Sequence, residues 1–184
     1  SMAMAMAMAM TMAMAMAMAM AMAMGKAKAK AMAMALAMGM GMGKAMAQAL
    51  AEQGAKVMIS SRKLDQCEAV AAEINERCGA ERAYSFACNA GYKEQLQALV
   101  DATREHIGSI DILVANAGVN PFQGPMKAIS DDAYDKIMST NVKANHWLAQ
   151  MVAPDMVAKG TGSMMFTSSV GAFTPSLALG TYNI

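Results

Sequence analysis

The sequence predicts an α/β domain in which helices cover both faces of a doubly wound parallel sheet. From about Lys44 onward, short apolar runs alternate with longer amphipathic segments. Short, nearly continuous apolar runs are typical of strands buried on both faces, and their alternation with helices favours parallel pairing. A chain of 184 residues is long enough to form one such domain with a substantial core.

The first helix is predicted to begin near Lys44, because Met46, Ala49 and Leu50 follow helical spacing and Gly54 stands where a helix C-cap would. A first strand is presumed before this helix. Further strands are predicted at 56–60, 83–88, 110–118 and 162–169. The other helices are predicted at 63–79, 93–108 and 130–157, the last of them starting from a Ser130 cap.

Residues 1–30 form an anomalous segment in which methionine alternates with alanine. Of the 25 methionines in the chain, 18 fall within the first 46 residues. Both residue types are apolar, so their alternation gives neither a strand nor a helix an amphipathic face. A membrane span is one interpretation, although no basic segment precedes it. We interpret residues 1–30 as a tag-like segment without functional weight and assign the function to residues 31–184.

The overall charge and the scattered cysteines and histidines narrow the range of functions. The formal charge of +1 at pH 7 gives no reason to expect nucleic acid or a membrane as a partner. Cys67, Cys78 and Cys88 are too few and too irregularly spaced for a disulfide scaffold or a zinc site. His106 and His146 lie far apart, which favours ordinary histidines over a metal pair. We therefore expect a metal-free protein in the reducing cytoplasm.

Candidate binding residues follow each predicted strand, where open parallel sheets bind their ligands. Glycines after the first strand would let the backbone approach a pyrophosphate. After the second strand, basic residues suit a 2′-phosphate, although a solvated charge pair is an equal alternative there. In chain order, the residues at these strand ends are Gly39, Gly41, Met42 and Gly43, then Ser61, Arg62 and Lys63, then Asn89, and finally Asn116, Ala117 and Gly118.

Taken in this order, the motifs resemble those of the short-chain dehydrogenases/reductases. "GMGMGK" is similar to the end of the family's T-G-x-x-x-G-x-G loop, "NAG" to its motif after the fourth strand, and "STNV" supplies Asn141. "SSVGAFTPSLALGTY" has the family's spacing between a serine, Ser169, and a tyrosine, Tyr182. "ILVANAGVNPFQG" is similar to NADP-dependent carbonyl and retinol reductases of the peroxisomal type. The resemblance implies a Rossmann-like fold of which the C-terminal part is missing.

The resemblance also implies an oxidoreductase that interconverts a carbonyl and an alcohol by hydride transfer, with NADP(H) preferred over NAD(H). Tyr182 would be the general acid/base, Ser169 would hold the same substrate oxygen, and Asn141 would anchor a proton-relay water. Arg62 would meet the 2′-phosphate and Asn89 would lie near the adenine. Other cofactor contacts would come from Gly39, Gly41, Met42, Gly43, Ser61, Lys63, Asn116, Ala117, Gly118 and Tyr182. The substrate pocket would be shaped by Asn120, Phe122, Phe173 and Leu177.

Three features depart from the family pattern. Ala37 stands where the phosphate loop has its first glycine, and a Cβ there would crowd the turn. Asn89 occupies a position that often holds aspartate. The family's lysine, four residues after the tyrosine, would fall at position 186, beyond Ile184. A free phenol ionises only near pH 10, and that lysine favours its ionised form, so we expect the 184-residue chain to be inactive by itself.

Two functions stay open after these observations. One is the NADP(H)-dependent oxidoreductase acting on a small-molecule carbonyl or alcohol; the other is a non-catalytic dinucleotide-binding module or an inactive fragment. The joint presence of Asn141, Ser169 and Tyr182 favours the enzyme. A membrane-tethered reductase is a third interpretation if residues 1–30 span a bilayer. By resemblance, the protein is also expected to be a homo-oligomer, either a dimer or a tetramer.

Overall fold

The computed structural model describes the backbone of residues 32–36 and the whole of residues 41–184. The predicted segment 1–30, Ala37 and Gly39 lie outside the described residues. Within the described part, five parallel strands form one sheet in the order β3-β2-β1-β4-β5. Their bounds are β1 Met32–Leu36, β2 Lys56–Ser61, β3 Ala83–Ala87, β4 Ile112–Ala115 and β5 Ser163–Phe166.

The α-helices of the described residues are α1 Met42–Glu52, α2 Leu64–Cys78, α3 Lys93–His106, α4 Asp131–Ile137 and α5 Ala144–Lys159. A π-helical segment, Met138–Lys143, joins α4 to α5. None of the described helices has the length and apolar character needed to span a bilayer.

The two faces of the sheet are covered by different helices, as the doubly wound prediction requires. Alternate residues of β2 and β4 point to opposite faces, because side chains of a strand alternate with a period of two. Val57 and Val114 belong to the apolar cluster that α1 and α2 complete. Met58 and Leu113 belong to the cluster that α3 and α5 complete. The predicted α/β class with helices on both faces is confirmed.

Strands β3, β4 and β5 are shorter than their predicted runs, whereas β2 extends one residue beyond its prediction, to Ser61. The predicted strand at 110–118 is β4, whose last residue, Ala115, pairs with the last residue of β1 and with Phe166 of β5. Beyond this point no ladder partner remains among the described residues, and the chain turns away. Residues 116–118 and 167–169 are therefore released from the sheet and are available for a site.

The helix ends follow the predicted signals in part. Ser130 caps α4, since its Oγ accepts a hydrogen bond from the Ala133 N–H at 3.3 Å. The first helix ends at Glu52, one residue before the C-cap Gln53, and Gly54 follows with a left-handed φ of 97°. The predicted helix at 130–157 is divided by the π-helical segment, which contains Asn141. A π segment inserts one extra residue per turn and often occurs at functional sites.

A cluster of ion pairs fastens α3 and α5 to the amino end of β4. Arg104 of α3 donates from Nε to one Asp155 carboxylate oxygen at 3.1 Å and from Nη2 to the other at 2.9 Å. The Ile110 N–H also donates to Asp155, at 2.9 Å. Lys159 of α5 pairs with Asp111 at 2.7 Å. Burial by itself would raise the pKa of Asp155, but the hydrogen bonds from Arg104 and Ile110 outweigh burial and lower it.

We predict that the Asp155 carboxylate makes the free energy of unfolding fall at acid pH. Because the pKa of Asp155 is lowered on folding, its stabilisation is present above the unfolded value, about 3.9, and is lost as pH falls through the folded value. Asp155→Asn should lower the free energy of unfolding by about 1–3 kcal/mol at pH 7. The difference from wild type should shrink below about pH 4, as measured by urea unfolding at several pH values.

Asp101 supplies the matched control for this experiment. It pairs with the same arginine at 3.6 Å, but its side chain is 60% exposed. Asp101→Asn should change the free energy of unfolding by less than about 0.5 kcal/mol, because exposed pairs contribute little. Equal effects of the two substitutions would contradict the assigned role of Asp155.

Candidate active site

The carboxyl ends of the central strands lie level at one edge of the sheet. Leu36 of β1 pairs with Ser60 of β2 and with Ala115 of β4. The chain leaves β1 toward β2, whereas the crossover after β3 returns to β4 on the opposite side of β1. The reversal lies beside the carboxyl ends of β1 and β4, the position at which doubly wound sheets form a crevice for ligands.

A cavity of about 410 Å³, the tyrosine cavity, lies at this edge of the sheet. The three predicted catalytic residues, Asn141, Ser169 and Tyr182, line it together. Four of the predicted cofactor residues also line it, namely Met42, Asn116, Ala117 and Gly118. The structure thus brings together residues from five separate segments of the chain.

Asn141 fastens the loop after β4 to the π-helical segment. Its Oδ1 accepts a hydrogen bond from the Val119 N–H at 2.8 Å, and its Nδ2 donates to the Val119 carbonyl at 2.9 Å. An amide carries both a donor and an acceptor, so it can pair with both backbone groups of one residue. Asn141 therefore holds the wall of the tyrosine cavity that Ala117 and Gly118 form.

Ser169 and Tyr182 stand on two short turns. Ser169 precedes the 3-10 turn Val170–Ala172, and its Oγ accepts a hydrogen bond from the Gly171 N–H at 3.2 Å. Tyr182 belongs to the 3-10 turn Gly180–Asn183. Gly180 has a φ of 50°, and a Cβ there would lie 2.7 Å from the Gly124 carbonyl oxygen. Glycine is therefore required at the start of the tyrosine's turn.

Sequence reasoning missed several polar residues that line the tyrosine cavity, including Asn145, Thr167 and Ser168. Thr167 donates from Oγ1 to the Asn116 Oδ1 at 3.0 Å and so joins the ends of β4 and β5. Asn145 donates from Nδ2 to the Asn141 carbonyl at 2.9 Å. Asn145 could have been predicted from the sequence, because it lies four residues after Asn141 and residues four apart share a helix face.

A second cavity of about 360 Å³, the arginine cavity, contains Arg62 and Asn89. Val119 and Thr140 line it, and their sequence neighbours Gly118 and Asn141 line the tyrosine cavity, so the loop after β4 and the π-helical segment contribute to both cavities. Asn89 Oδ1 accepts a hydrogen bond from the Gly91 N–H at 3.1 Å. The other lining residues are Gly91, Tyr92, Asp135, Lys136 and Ser139. Lys136 and Tyr92 were not predicted from the sequence.

Ser61 and Lys63, two predicted cofactor residues, do not line either cavity. Ser61 Oγ accepts hydrogen bonds from the Lys63 N–H and from the Cys67 Sγ, both at 3.1 Å. These bonds shape the turn after β2 and thereby place Arg62 at the arginine cavity. Lys63 is the exposed residue that precedes α2.

The predicted phosphate-loop residues begin α1. Gly41 is its N-cap, Met42 is its first residue, and Gly43 is buried in its first turn. No side chain of the described residues caps this helix, and its first turn holds no acidic residue. Among the described residues, the first N–H groups of α1 have no side-chain partner, and Met42 at this end of the helix lines the tyrosine cavity.

The four residues predicted to shape the substrate pocket do not line either cavity. Phe173 and Leu177 are 88% and 91% exposed on the loop between the two turns. Phe122 packs against Gly124, where a Cβ would lie 2.8 Å from the ring. The Oδ1 of Asn120 is buried without a hydrogen-bond partner among the described residues. Their role toward a substrate stays a prediction.

Cys88, which precedes Asn89, is not a nucleophile of this site. Burial raises the pKa of its thiol to about 11. The thiolate is the reactive form of cysteine, and almost none is present at neutral pH.

We predict that Asn141 stabilises the loop after β4. Asn141→Ala leaves the N–H and carbonyl of Val119 unpaired, so the free energy of unfolding should fall by about 1–3 kcal/mol. Ser139→Ala is the matched control, because Ser139 Oγ makes one exposed hydrogen bond to the Lys136 carbonyl in the same region. Its expected effect is below about 0.5 kcal/mol. Equal stability of the two variants in urea unfolding would refute this role.

Comparison with known proteins identifies relatives of the whole described region. The family model for short chain dehydrogenases matches residues 31–183. Dehydrogenase/reductase SDR family member 4 of Oryctolagus cuniculus is 40% identical over 136 residues, which make up 73% of this chain and 51% of that protein. The chain spans about half the length of the curated relatives it matches.

Solved structures of short-chain oxidoreductases and dehydrogenases are also similar to this chain. A metagenomic short-chain oxidoreductase in complex with NADP is 30% identical with a TM-score of 0.78, covering 84% of this chain and 69% of the other. A 7α-hydroxysteroid dehydrogenase complexed with NADH and 7-oxo glycochenodeoxycholic acid is 29% identical with a TM-score of 0.77, covering 83% of this chain and 58% of the other. The chain therefore belongs to the short-chain dehydrogenase/reductase family of oxidoreductases, and its sheet is Rossmann-like.

Proposed function

We propose that residues 31–184 are the dinucleotide-binding and catalytic part of an NADP(H)-dependent oxidoreductase that interconverts a carbonyl and an alcohol. The observation that carries this proposal is the tyrosine cavity, where Asn141, Ser169 and Tyr182 meet at the end of β4 and β5. A dinucleotide-binding module without catalysis has no need for these three side chains together.

A nicotinamide dinucleotide fits the chemistry of the two cavities. The N-terminus of α1, which no side chain of the described residues caps, suits a pyrophosphate, because its N–H groups and helix dipole favour an anion. The tyrosine cavity would take the nicotinamide end between Ala117 and Tyr182, and the arginine cavity would take the adenosine end beside Asn89. Two of the similar solved structures contain NADP or NADH, which supports this class of cofactor.

The residues after β2 favour NADP(H) over NAD(H). A carboxylate at this position would bind a ribose 2′-hydroxyl, whereas Arg62 carries a planar cation that suits a 2′-phosphate. Lys136 adds a second positive charge to the lining of the same cavity. Asp135 also lines it, and its negative charge opposes a phosphate. Two cations against one carboxylate leave the lining with a net positive charge.

In the proposed mechanism, Ala117 and Tyr182 would hold the nicotinamide end of the cofactor, which when bound would supply the hydride for reduction or accept it for oxidation. The Tyr182 phenol donates a proton to the substrate oxygen in the direction of reduction, and its phenolate removes that proton in the reverse direction. The Ser169 hydroxyl donates a hydrogen bond to the same oxygen and so orients it. Asn141 keeps Gly118 and Val119 in place through its two hydrogen bonds, which fixes the cavity wall opposite these hydroxyls.

The phenol requires a neighbouring cation to act near neutral pH, since a free tyrosine ionises only near pH 10. By family resemblance, this cation would be a lysine four residues after Tyr182, at position 186. Turnover is therefore proposed for a protein that includes position 186. We further propose a small-molecule substrate, a cytoplasmic location and a dimer or tetramer of identical chains.

The function is tested by turnover in a protein that includes position 186. The wild type should oxidise NADPH in the presence of members of a panel of ketones and aldehydes. Tyr182→Phe should lower kcat by at least about 100-fold, because proton transfer is lost, with the Kd for NADPH changed by less than about threefold. Tyr134→Phe, on α4 and outside both cavities, is the control. Tight NADPH binding without turnover in the wild type would favour a non-catalytic module.

Cofactor preference is tested by binding to the chain itself. Arg62→Asp should weaken NADPH binding by about 10- to 100-fold and leave NADH binding similar or stronger, because a charged hydrogen bond is worth about 1.5–3 kcal/mol. Lys63→Asp carries the same charge change at the next residue, which lies outside both cavities, and should alter the ratio of the two affinities by less than about threefold. An unchanged ratio in Arg62→Asp would mean that Arg62 is only a surface charge.

A further inference from the structure

Ser169 and Tyr182 lie on turns that are joined by a poorly packed loop. Every residue from 172 to 178 is exposed. Exposed loops hold their ends weakly, because few buried contacts restrict their motion. The two hydroxyl groups must nevertheless meet one substrate oxygen if the proposed function is correct. Contacts other than apolar packing must therefore fix the separation of the two turns.

The side chain of Asn183 makes such contacts. Its Nδ2 donates hydrogen bonds to the Ser176 carbonyl at 2.8 Å and to the Gly180 carbonyl at 3.1 Å. Its Oδ1 accepts a longer hydrogen bond from the Ser176 N–H at 3.5 Å. One amide thus ties the middle of the exposed loop to the turn that carries Tyr182.

The same amide lies against the turn that Ser169 caps. A Cβ added to Gly171 would lie 3.0 Å from the Asn183 Oδ1, closer than most contacts of a real Cβ. Gly171 is also the residue whose N–H donates to the Ser169 Oγ. Asn183 therefore touches both turns, and the absence of a side chain at position 171 permits this approach.

From these contacts we infer that Asn183 is a positioning residue that sets the separation between the Ser169 and Tyr182 hydroxyls. The inference rests on the proposed function, in which the two hydroxyls contact one substrate oxygen. Asn183 acts through backbone groups of the two turns and the loop. Aspartate has the same shape but no N–H, so it would place a carboxylate against two carbonyl oxygens. Alanine would leave both carbonyls without this donor.

The kinetic test uses a protein that includes position 186. Asn183→Asp and Asn183→Ala should lower kcat by about 10- to 100-fold, because small misplacements of reacting groups have effects of this size. The KM and the Kd for NADPH should change by less than about threefold. Gly171→Ala keeps Asn183 but displaces its amide, and should lower kcat by about three- to tenfold. Thr174→Ala, in the same exposed loop, is the control and should leave kcat within twofold.

A second measurement does not depend on activity. Hydrogen exchange of the 184-residue chain should be faster for the amides of residues 177–184 in Asn183→Asp and Asn183→Ala, and unchanged in Thr174→Ala. A purely structural role would speed exchange without the selective loss of kcat.

The outcomes separate this inference from the proposed function. Wild-type turnover with unaltered kcat in both Asn183 variants would overturn the positioning role, as would a parallel loss of kcat and NADPH affinity. Unchanged hydrogen exchange in the Asn183 variants would show that the hydrogen bonds of Asn183 do not hold the loop to the turn of Tyr182. A further outcome is that the wild type binds NADPH without any turnover, while hydrogen exchange still becomes faster in the Asn183 variants. This result would overturn the proposed function but would support the role of Asn183 in holding the loop to the turn of Tyr182.

Discussion

The level alignment of parallel strand ends around β1 is the constraint on which the rest of this structure depends. Leu36 is paired on one side with Ser60 and on the other with Ala115, so the three strands end at the same height. The chain connects these strands in opposite directions from β1, which keeps the crevice open. Helices on both faces bury the apolar sides of the strands, and this burial is the dominant favourable term that maintains the alignment.

Asparagine side chains order the loops at this edge of the sheet by hydrogen bonding to their backbone groups. Residues that have left the sheet carry backbone groups without ladder partners, and buried groups of this kind must be satisfied elsewhere. Asn141 satisfies Val119, Asn183 satisfies Ser176 and Gly180, and Asn89 satisfies Gly91. A side chain with both donor and acceptor suits this purpose without bringing charge into the site.

Charge is distributed unequally between the two ends of the sheet. At the amino end of β4, the described ion pairs join cations to carboxylates, as in Arg104 with Asp155 and Lys159 with Asp111. At the carboxyl end, Arg62 and Lys136 line a cavity that holds one carboxylate, Asp135. One end is thus suited to holding helices against strands and the other to binding an anion. This division follows the general pattern in which a rigid scaffold presents functional loops at one side.

The sequence by itself determined the fold class and the chemistry-bearing positions. The pattern of apolar residues within a short stretch of sequence distinguishes strands from helices. Motifs such as "NAG" and the spacing from Ser169 to Tyr182 also lie within short stretches of the chain. Only the tertiary structure decided which of these positions meet. It placed Asn141 and Tyr182 in the lining of one cavity, left Ser61 and Lys63 outside both cavities, and exposed Phe173 and Leu177. It also brought Lys136 into the lining of the cavity that contains Arg62. Such contacts depend on the register of the sheet and on a π-helical turn, which are set by packing between distant segments and leave no local signal.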